Sequence, residues 1–262
     1  MKKLPLTITV VLIFGTFCLH GRDTVSNGHA LNFPAKKYGI SIGNSYEFSG
    51  LRMNFADGDV KVVNGLNITL WAKSHQNMDA IVNGVSVGII PTGGTMRLIN
   101  LGVIGVGASG NLTGLNIGGA VLGLGGSLRG ISASGLYTTA DRIAGISVSG
   151  VANASREARG LIVGGLLVHS GELICGATMG LGCIYSNRIQ GVAVSAGYMK
   201  SEDFVGGSLA AYSNTTKYKG ISLALVNRTR ELHGVQFGLI NIAENNPAWC
   251  RVLPFVNLHL RE

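Results

Sequence analysis

Three consecutive segments in the middle of the chain repeat one phrase: Leu128-Arg-Gly130-Ile-Ser-Ala133, Ile143-Ala-Gly145-Ile-Ser-Val148 and Ala158-Arg-Gly160-Leu-Ile-Val163. The phrase consists of an apolar residue, a spacer, a glycine, an apolar residue, a spacer and a further apolar residue. It occurs thirteen times between Phe48 and Ile242, at steps of 14 to 19 residues. A period this regular indicates one small structural element that stacks on copies of itself.

We number each unit from its glycine, which we call the anchor and set as position 0. Outside the three quoted segments, the anchors are assigned to Gly50, Gly65, Gly84, Leu98, Gly114, Cys175, Gly191, Gly206, Gly220 and Gly234. Position −2 is apolar in all thirteen units, and positions +3 and +6 are each apolar in twelve. Side chains of a straight strand alternate between two faces, so positions −2, +1, +3 and +6 share one face only if the chain turns between them.

Glycine and other small residues at positions 0, +4 and +5 supply such turns, because they accept positive φ and close backbone approach. With corners at these places, positions −2, +1, +3 and +6 would all point into one interior. The sequence therefore predicts an all-β fold, a β-solenoid of about 13 coils of roughly 15 residues with terminal caps.

A membrane β-barrel, with each unit forming one strand and a turn, is the alternative. Val192, Val194, Ala196 and Tyr198 alternate with smaller or polar residues, as lipid-facing positions of a barrel strand do. However, a barrel needs strands of about 9–11 residues and aromatic girdles at both interfaces. Aromatic residues make up only 6% of this chain, which favours the solenoid.

The regions outside the repeat divide the chain into four parts. Residues 1–21 have a basic start followed by an apolar run, which predicts a secretory signal peptide. Residues 22–47 are predicted to form an N-terminal cap, residues 48–244 the repeat β domain, and residues 245–262 a C-terminal closing strand. We therefore expect an exported protein.

Composition excludes several other classes. The chain contains 40 glycines and 13% charged residues, and its mean hydropathy of +0.35 argues against disorder. The glycines do not fall at every third position, which excludes collagen. Beyond the leader there are three cysteines, an odd number that argues against a disulfide framework. Cys175 and Cys183 are expected to be small buried residues.

The end of the repeat carries a resemblance to known proteins. Gly234-Val-Gln-Phe-Gly-Leu-Ile-Asn-Ile-Ala is followed by Asn-Asn-Pro and by Val-Leu-Pro-Phe-Val-Asn-Leu, and Gly114-Leu-Asn-Ile-Gly-Gly lies further upstream. These segments resemble a family of bacterial surface-repeat proteins of spirochaetes, Bacteroidetes and other Gram-negative bacteria. The similarity extends from about residue 39 to 260 and departs from the family wording between Ala133 and Tyr212. The resemblance implies an exported envelope protein at the cell surface or outer membrane of a Gram-negative bacterium, without an established activity.

Two strings resemble enzyme motifs. Gly84-Val-Ser86-Val-Gly88 matches a hydrolase nucleophile elbow, and Gly105-Val-Gly107-Ala-Ser-Gly110 matches a dinucleotide fingerprint. Both motifs need a helix after a strand, and the pattern indicates no helix here. Ser86 instead occupies repeat position +2, as serines do in other units. We therefore predict no catalytic residues, no cofactor, no metal site and no enzymatic activity.

One candidate surface-contact stripe remains. Basic residues recur at position −1, where a solenoid would align them along one edge: Arg97, Arg129, Arg159, Lys219 and His233. They are expected to be solvated charges or, functionally, contacts to anionic polysaccharide, lipid headgroups or a host surface. Nucleic acid is not expected, because the stripe lacks interleaved aromatics for base stacking. The sequence thus predicts a non-enzymatic envelope protein with a structural or binding role, the alternative being an outer-membrane barrel that acts as pore or anchor.

Overall fold

The computed structural model describes residues 29–72 and 79–260, where the regular elements are fifteen β-strands. The predicted signal peptide lies outside these residues. The first strands are β1 (Ala30–Pro34), β2 (Tyr38–Gly43), β3 (Glu47–Asp57), β4 (Val62–Ala72) and β5 (Ile81–Gly88). The middle strands are β6 (Thr92–Gly102), β7 (Gly105–Gly118), β8 (Val121–Leu124), β9 (Ser127–Ser134), β10 (Tyr137–Ser149) and β11 (Ala152–Gly164). The last strands are β12 (Leu167–Gly180), β13 (Cys183–Ser195), β14 (Tyr198–Ala243) and β15 (Val252–His259).

Successive strands from β2 to β14 pair in parallel, with each residue beside its equivalent in the next unit. Ile131 lies beside Ile146, and Ile146 lies beside Leu161. Successive units would be antiparallel in a barrel built from hairpins, so the parallel register identifies stacked coils. The chain is a β-solenoid, as predicted, and the barrel alternative is wrong.

The solenoid has about 11 turns, against the 13 coils expected from the repeat count. Eleven successive parallel steps lead from β2 to the beginning of β14. The last units of the repeat lie within β14, which is a single continuous strand of 46 residues. One coil is divided between β8 and β9, both of which pair with β7 and β10.

The anchor positions adopt the backbone conformation that the sequence predicts. Gly145 has φ 127° and Gly191 has φ 130°, values that residues with a Cβ rarely adopt. A Cβ on Gly145 would lie 2.2 Å from the carbonyl oxygen of Gly130, the anchor of the preceding coil. Glycine therefore recurs here because the coils approach one another too closely for a Cβ at most anchors, Leu98 being the exception.

Two details of the predicted register are wrong. In the unit assigned to Cys175, the residue that aligns with Gly160 and Gly191 is Gly176. The two steps around this unit are therefore 16 and 15 residues, rather than 15 and 16. The second bend lies at positions +5 and +6, as at Gly150 and Val151, one residue later than expected.

Position −2 forms the apolar core, as predicted. In every unit its side chain is at most 2% exposed, and most of these residues belong to one continuous cluster. The −2 residues are Phe48, Val63, Val82, Met96, Leu112, Leu128, Ile143, Ala158, Ile174, Ile189, Phe204, Tyr218 and Leu232.

The prediction that positions +1, +3 and +6 also point inward is wrong. Ile131 at +1 is 52% exposed, Val148 at +3 is 41% exposed, and Leu166 at +6 is 59% exposed. The anchor glycine keeps the normal alternation of the strand instead of reversing it, so positions −2, +2 and +4 share the interior. The large apolar residues that follow each anchor therefore face outward.

Both ends of the solenoid carry an antiparallel strand. β1 pairs with β2 at the first end, and β15 pairs with residues 234–242 of β14 at the other. Such strands cover part of the hydrogen-bonding edge that an open parallel stack would offer to another chain.

Candidate functional site

In the segment that follows each anchor, polar side chains point into the solenoid and apolar side chains point outward. Position +2, which faces the interior, is polar in eleven of the thirteen units, and all thirteen residues are at most 4% exposed. These +2 residues are Arg52, Asn67, Ser86, Asn100, Asn116, Ser132, Ser147, Ile162, Thr178, Ala193, Ser208, Ser222 and Gln236. A strand with one face in water normally shows the opposite arrangement, with apolar residues inside.

Part of the buried polar row is joined by hydrogen bonds between coils, whereas the hydroxyl groups of Ser86 and Thr178 have no partner. Asn100 donates from Nδ2 to Oδ1 of Asn116 at 2.7 Å, and Ser208 donates from Oγ to Oγ of Ser222 at 3.0 Å. Ser222 donates in turn to Oδ1 of Asn227 at 2.6 Å. Because buried polar groups are costly without partners, these ladders allow the interior of the coil to contain polar side chains.

Positions +1 and +3 form the feature that we call the outer apolar face. No polar or charged residue occurs at either position in the thirteen units. At +1, the most exposed residues are Leu66, Ile131, Ile146, Leu161, Val192 and Ile221. At +3, they are Ile117, Val148, Met179, Leu209, Leu223 and Phe237. Since the rows continue through about 11 turns spaced about 4.8 Å apart, the face is on the order of 50 Å long.

The candidate contact stripe at −1 runs alongside this face, separated from it by the anchor row. The register brings Arg97, Thr113, Arg129, Ala144 and Arg159 into one line of adjacent residues. The three arginines therefore occupy every second layer, about 9.6 Å apart. Lys219 and His233 precede the anchors Gly220 and Gly234 further along the stack, beyond a gap of uncharged residues.

The members of the stripe differ in their partners. Among the described residues, Arg97, Arg129 and Lys219 are exposed and make no ion pair, although Arg97 donates a hydrogen bond to Asn83 at 3.3 Å. Arg159 lies 3.8 Å from the carboxylate of Glu157. His233 is half-buried, and its ring lies 6.1 Å from that of His259.

Most carboxylates lie at positions −4 and −3, where they pair with arginines of adjacent coils. Arg156 donates to Asp141 at 2.7 Å and to Glu172 at 3.4 Å, and the bond from Arg156 lowers the pKa of Asp141. The same bond raises the pKa of the Arg156 guanidinium. Further pairs of this kind are Arg142–Glu157, Arg188–Asp203, Lys217–Glu231 and Arg228–Glu244. The acidic groups are thus engaged away from the outer apolar face.

A buried ion pair lies near the N-terminal end of the solenoid. The guanidinium of Arg52 is fully buried and donates to Oδ1 of Asp57 at 2.6 Å and to Oδ1 of Asn67 at 2.8 Å. It also donates to Asn44 at 3.0 Å and to the carbonyl of Ser45 at 3.1 Å. Asp57 therefore balances a buried cation.

The two enzyme-like strings lie within strands. Ser86 is fully buried, and its Oγ has no hydrogen-bond partner, so it does not present a nucleophile at the surface. The second string, from Gly105 to Gly110, is part of β7 and is followed by more strand. Both matches arise from the repeat.

Histidine, cysteine and acidic side chains do not converge in the described part of the chain into any group of three that could hold a metal. Cys175, Cys183 and Cys250 are free thiols and half-buried, so Cys175 and Cys183 are less buried than expected. Tyr185, Tyr198 and Tyr212 form a ladder with ring centroids 5.7 and 5.4 Å apart. The rings of Tyr198 and Tyr212 stack on each other, so their facing surfaces are not accessible to a ligand.

The outer apolar face was missed because large apolar residues were assigned to the interior. The sequence does contain its signal: polar residues at +2 alternate with uniformly apolar residues at +1 and +3. Strict alternation of this kind indicates one continuous pleat through the anchor, with opposite polarity on its two faces.

Within residues 29–72 and 79–260, no helix has the length and apolar character required to cross a membrane. Comparisons of the chain with protein-family models, curated proteins and solved structures found no match.

Proposed function

We propose that this protein is a non-enzymatic, exported protein of the cell envelope, in which the solenoid is a rigid scaffold that presents a binding surface. The outer apolar face is the observation that carries this proposal. Monomeric proteins rarely expose apolar patches larger than a few hundred Å², and larger patches mark interaction surfaces. A face on the order of 50 Å long that repeats in every coil exceeds what scattered surface residues produce.

The interior supports a scaffold rather than an active site. Parallel coils satisfy each other's backbone groups, and side-chain ladders such as Asn100–Asn116 link one coil to the next. Repetition of the same contacts gives a stiff rod whose surface properties extend along its length. Export is inferred from the basic and apolar leader of residues 1–21.

Fractionation of a Gram-negative host that expresses the full chain tests this proposal. We expect the envelope fraction to contain a chain shortened by about the mass of residues 1–21, as measured by mass spectrometry. A chain with Leu12→Arg and Ile13→Arg, which interrupt the apolar leader, is expected to stay in the cytoplasm at full length. Recovery of the unaltered chain in the cytoplasm at full length would overturn the proposed function.

A further inference from the structure

We propose that the outer apolar face docks on the surface of an anionic lipid bilayer, with the −1 stripe binding headgroup phosphates. This inference rests on the proposed function and names the partner of its binding surface. The apolar side chains would enter the boundary between headgroups and acyl chains, where amphipathic elements are buried by about 5–10 Å. The solenoid would lie along the membrane without crossing it.

The direction of side-chain polarity is the first argument. Apolar residues outside and polar residues inside are the arrangement of strands that face lipid. Here Ile131, Ile146 and Leu161 form an outward row, while Ser132 and Ser147, the next residues along their strands, point inward. This arrangement is unfavourable for a protein surrounded only by water. The apolar side chains would remain hydrated, while polar groups are buried in the interior.

The backbone is compatible with this placement. Along the outer face, N–H and C=O groups pair with the preceding and following coils, as in the register from β9 through β12. Unpaired backbone groups are what make most sheet edges unsuitable for contact with lipid. The outer face of this sheet exposes side chains and not backbone groups, and the edges of the sheet are partly covered by β1 and β15.

Charge complementarity selects the kind of lipid. Arg97, Arg129 and Lys219 border the outer apolar face, are exposed and make no ion pair within the described part of the chain. No acidic residue occurs at +1 or +3 in any unit. Basic residues beside an apolar surface attract anionic headgroups, at about a fivefold gain in affinity for each residue near the membrane.

A second copy of the chain fits the same face less well. Protein–protein interfaces are enriched in aromatic residues, methionine and arginine at their centre. This face consists of aliphatic residues except for Met53, Met179, Gly207 and Phe237. It also contains no carboxylate that could pair with the basic stripe of a second copy.

Tryptophan fluorescence with brominated acyl chains tests direct contact. In the full chain with Trp71→Phe and Trp249→Phe, a single tryptophan is introduced by Ile131→Trp or Val192→Trp on the outer apolar face. The matched control is Asn187→Trp, an exposed position outside this face. With vesicles of phosphatidylcholine and brominated phosphatidylglycerol, we expect quenching at positions 131 and 192 and none at position 187.

This readout separates contact by the face from binding through the leader. If the leader alone attaches the chain to vesicles, the protein sediments with them but positions 131 and 192 are not quenched, which overturns the inference. Absence of any vesicle binding also overturns it. A blue shift at position 131 without lipid, accompanied by a dimer in analytical ultracentrifugation, would assign the face to a second copy and likewise contradict it.

The basic stripe is tested by Arg129→Gln combined with Lys219→Gln. We expect the affinity for vesicles containing phosphatidylglycerol to fall roughly 25-fold, from about fivefold for each residue. Arg188→Gln combined with Arg228→Gln removes the same charge from the paired positions and is expected to change affinity much less. Equal losses for both pairs would show that only net charge matters and would overturn the role of the stripe. The envelope fractionation is independent of these results, so the two proposals can fail separately.

Discussion

At the scale of single residues, the anchor glycines show how close packing determines the repeat. Their φ values lie between 98° and 157° in the units with glycine at this position. Among the thirteen anchors, all within the described residues, Leu98 is the one that is not glycine. Its φ is 89° and its side chain is 60% exposed. The stack thus tolerates a side chain at one anchor where it can turn outward, but the conformation remains costly for a residue with a Cβ.

Gly191→Ala is expected to lower the free energy of unfolding by about 3 kcal/mol or more, since it adds a clash to unfavourable backbone strain. Its Cβ would lie 2.0 Å from the carbonyl oxygen of Gly176, at φ 130°. Gly207→Ala is the matched control, because nothing lies within 4 Å of the added carbon. Urea unfolding of the two variants measures the difference. Equal stabilities would contradict the close stacking of anchors.

Ser86→Ala is expected to leave stability unchanged or to raise it by about 1 kcal/mol. The reason is that the Oγ of Ser86 is buried without a partner, and removing it ends that desolvation cost. The comparison variant is Ser222→Ala, which loses hydrogen bonds with Ser208 and Asn227 and should be destabilised by about 1–2 kcal/mol. A marked loss of stability for Ser86→Ala in the same urea assay would mean that Ser86 has a partner.

The phenol of Tyr218 is fully buried, and burial raises its pKa from 10.0 to about 12. Below pH 10 the phenol is protonated in both states, so its stabilising contribution is complete. As the pH rises from 10 to about 12, the unfolded phenol ionises first, and about 2.7 kcal/mol of stability is lost. Unfolding measured across this interval should show a steeper decline for the unaltered chain than for Tyr218→Phe. Parallel curves would rule out the buried, neutral phenol.

At the scale of the strand, the sequence predicted the coil but not the direction of its side chains. The spacing of glycines and the apolar −2 row were sufficient to predict parallel coils and the core residue of each. The side chains at +1, +3 and +6 were predicted to point inward because large apolar residues are usually buried. The pleat continues through the anchor instead, so Ile131 faces outward while Ser132 fills the narrow interior.

The sequence also could not reveal which buried polar residues contact each other. The carboxylate of Asp57, for example, lies 2.6 Å from the guanidinium of the buried Arg52. The two residues lie five positions apart in β3, on opposite faces of a straight strand, so their contact requires a bend that no local spacing determines. The basic stripe, in contrast, follows directly from the period, because position −1 recurs in register.

Asp57→Ala is expected to destabilise the fold by about 3–5 kcal/mol, since it leaves the cation of Arg52 buried without its counter-charge. Glu47→Ala removes an exposed ion pair with Lys37 and should change stability much less, because water screens exposed charges. Thermal or urea unfolding distinguishes the two. A small effect of Asp57→Ala would show that Arg52 reaches water.

At the scale of the whole molecule, one period produces two surfaces of different character. The row of ion pairs at −4 and −3 is suited to water, and the row at +1 and +3 is suited to an apolar partner. The apolar row repeats in every coil, and the ion pairs recur from the coil of Gly145 to that of Gly234, so the molecule is amphipathic over this part of its length. This division is compatible with attachment to a surface through the rows at +1 and +3.

The arrangement of the coils is tested most directly by the distance between equivalent outward residues. Spin labels attached to Ile131→Cys and Ile146→Cys, with Cys18, Cys175, Cys183 and Cys250 replaced by serine, occupy adjacent layers in parallel register. Strands in register are about 4.8 Å apart, so the electron paramagnetic resonance spectrum of this pair should be strongly broadened. The pair at positions 131 and 161, two layers apart, should be broadened less. Absence of broadening for positions 131 and 146 in the folded chain would contradict the β-solenoid and the outer apolar face that depends on it.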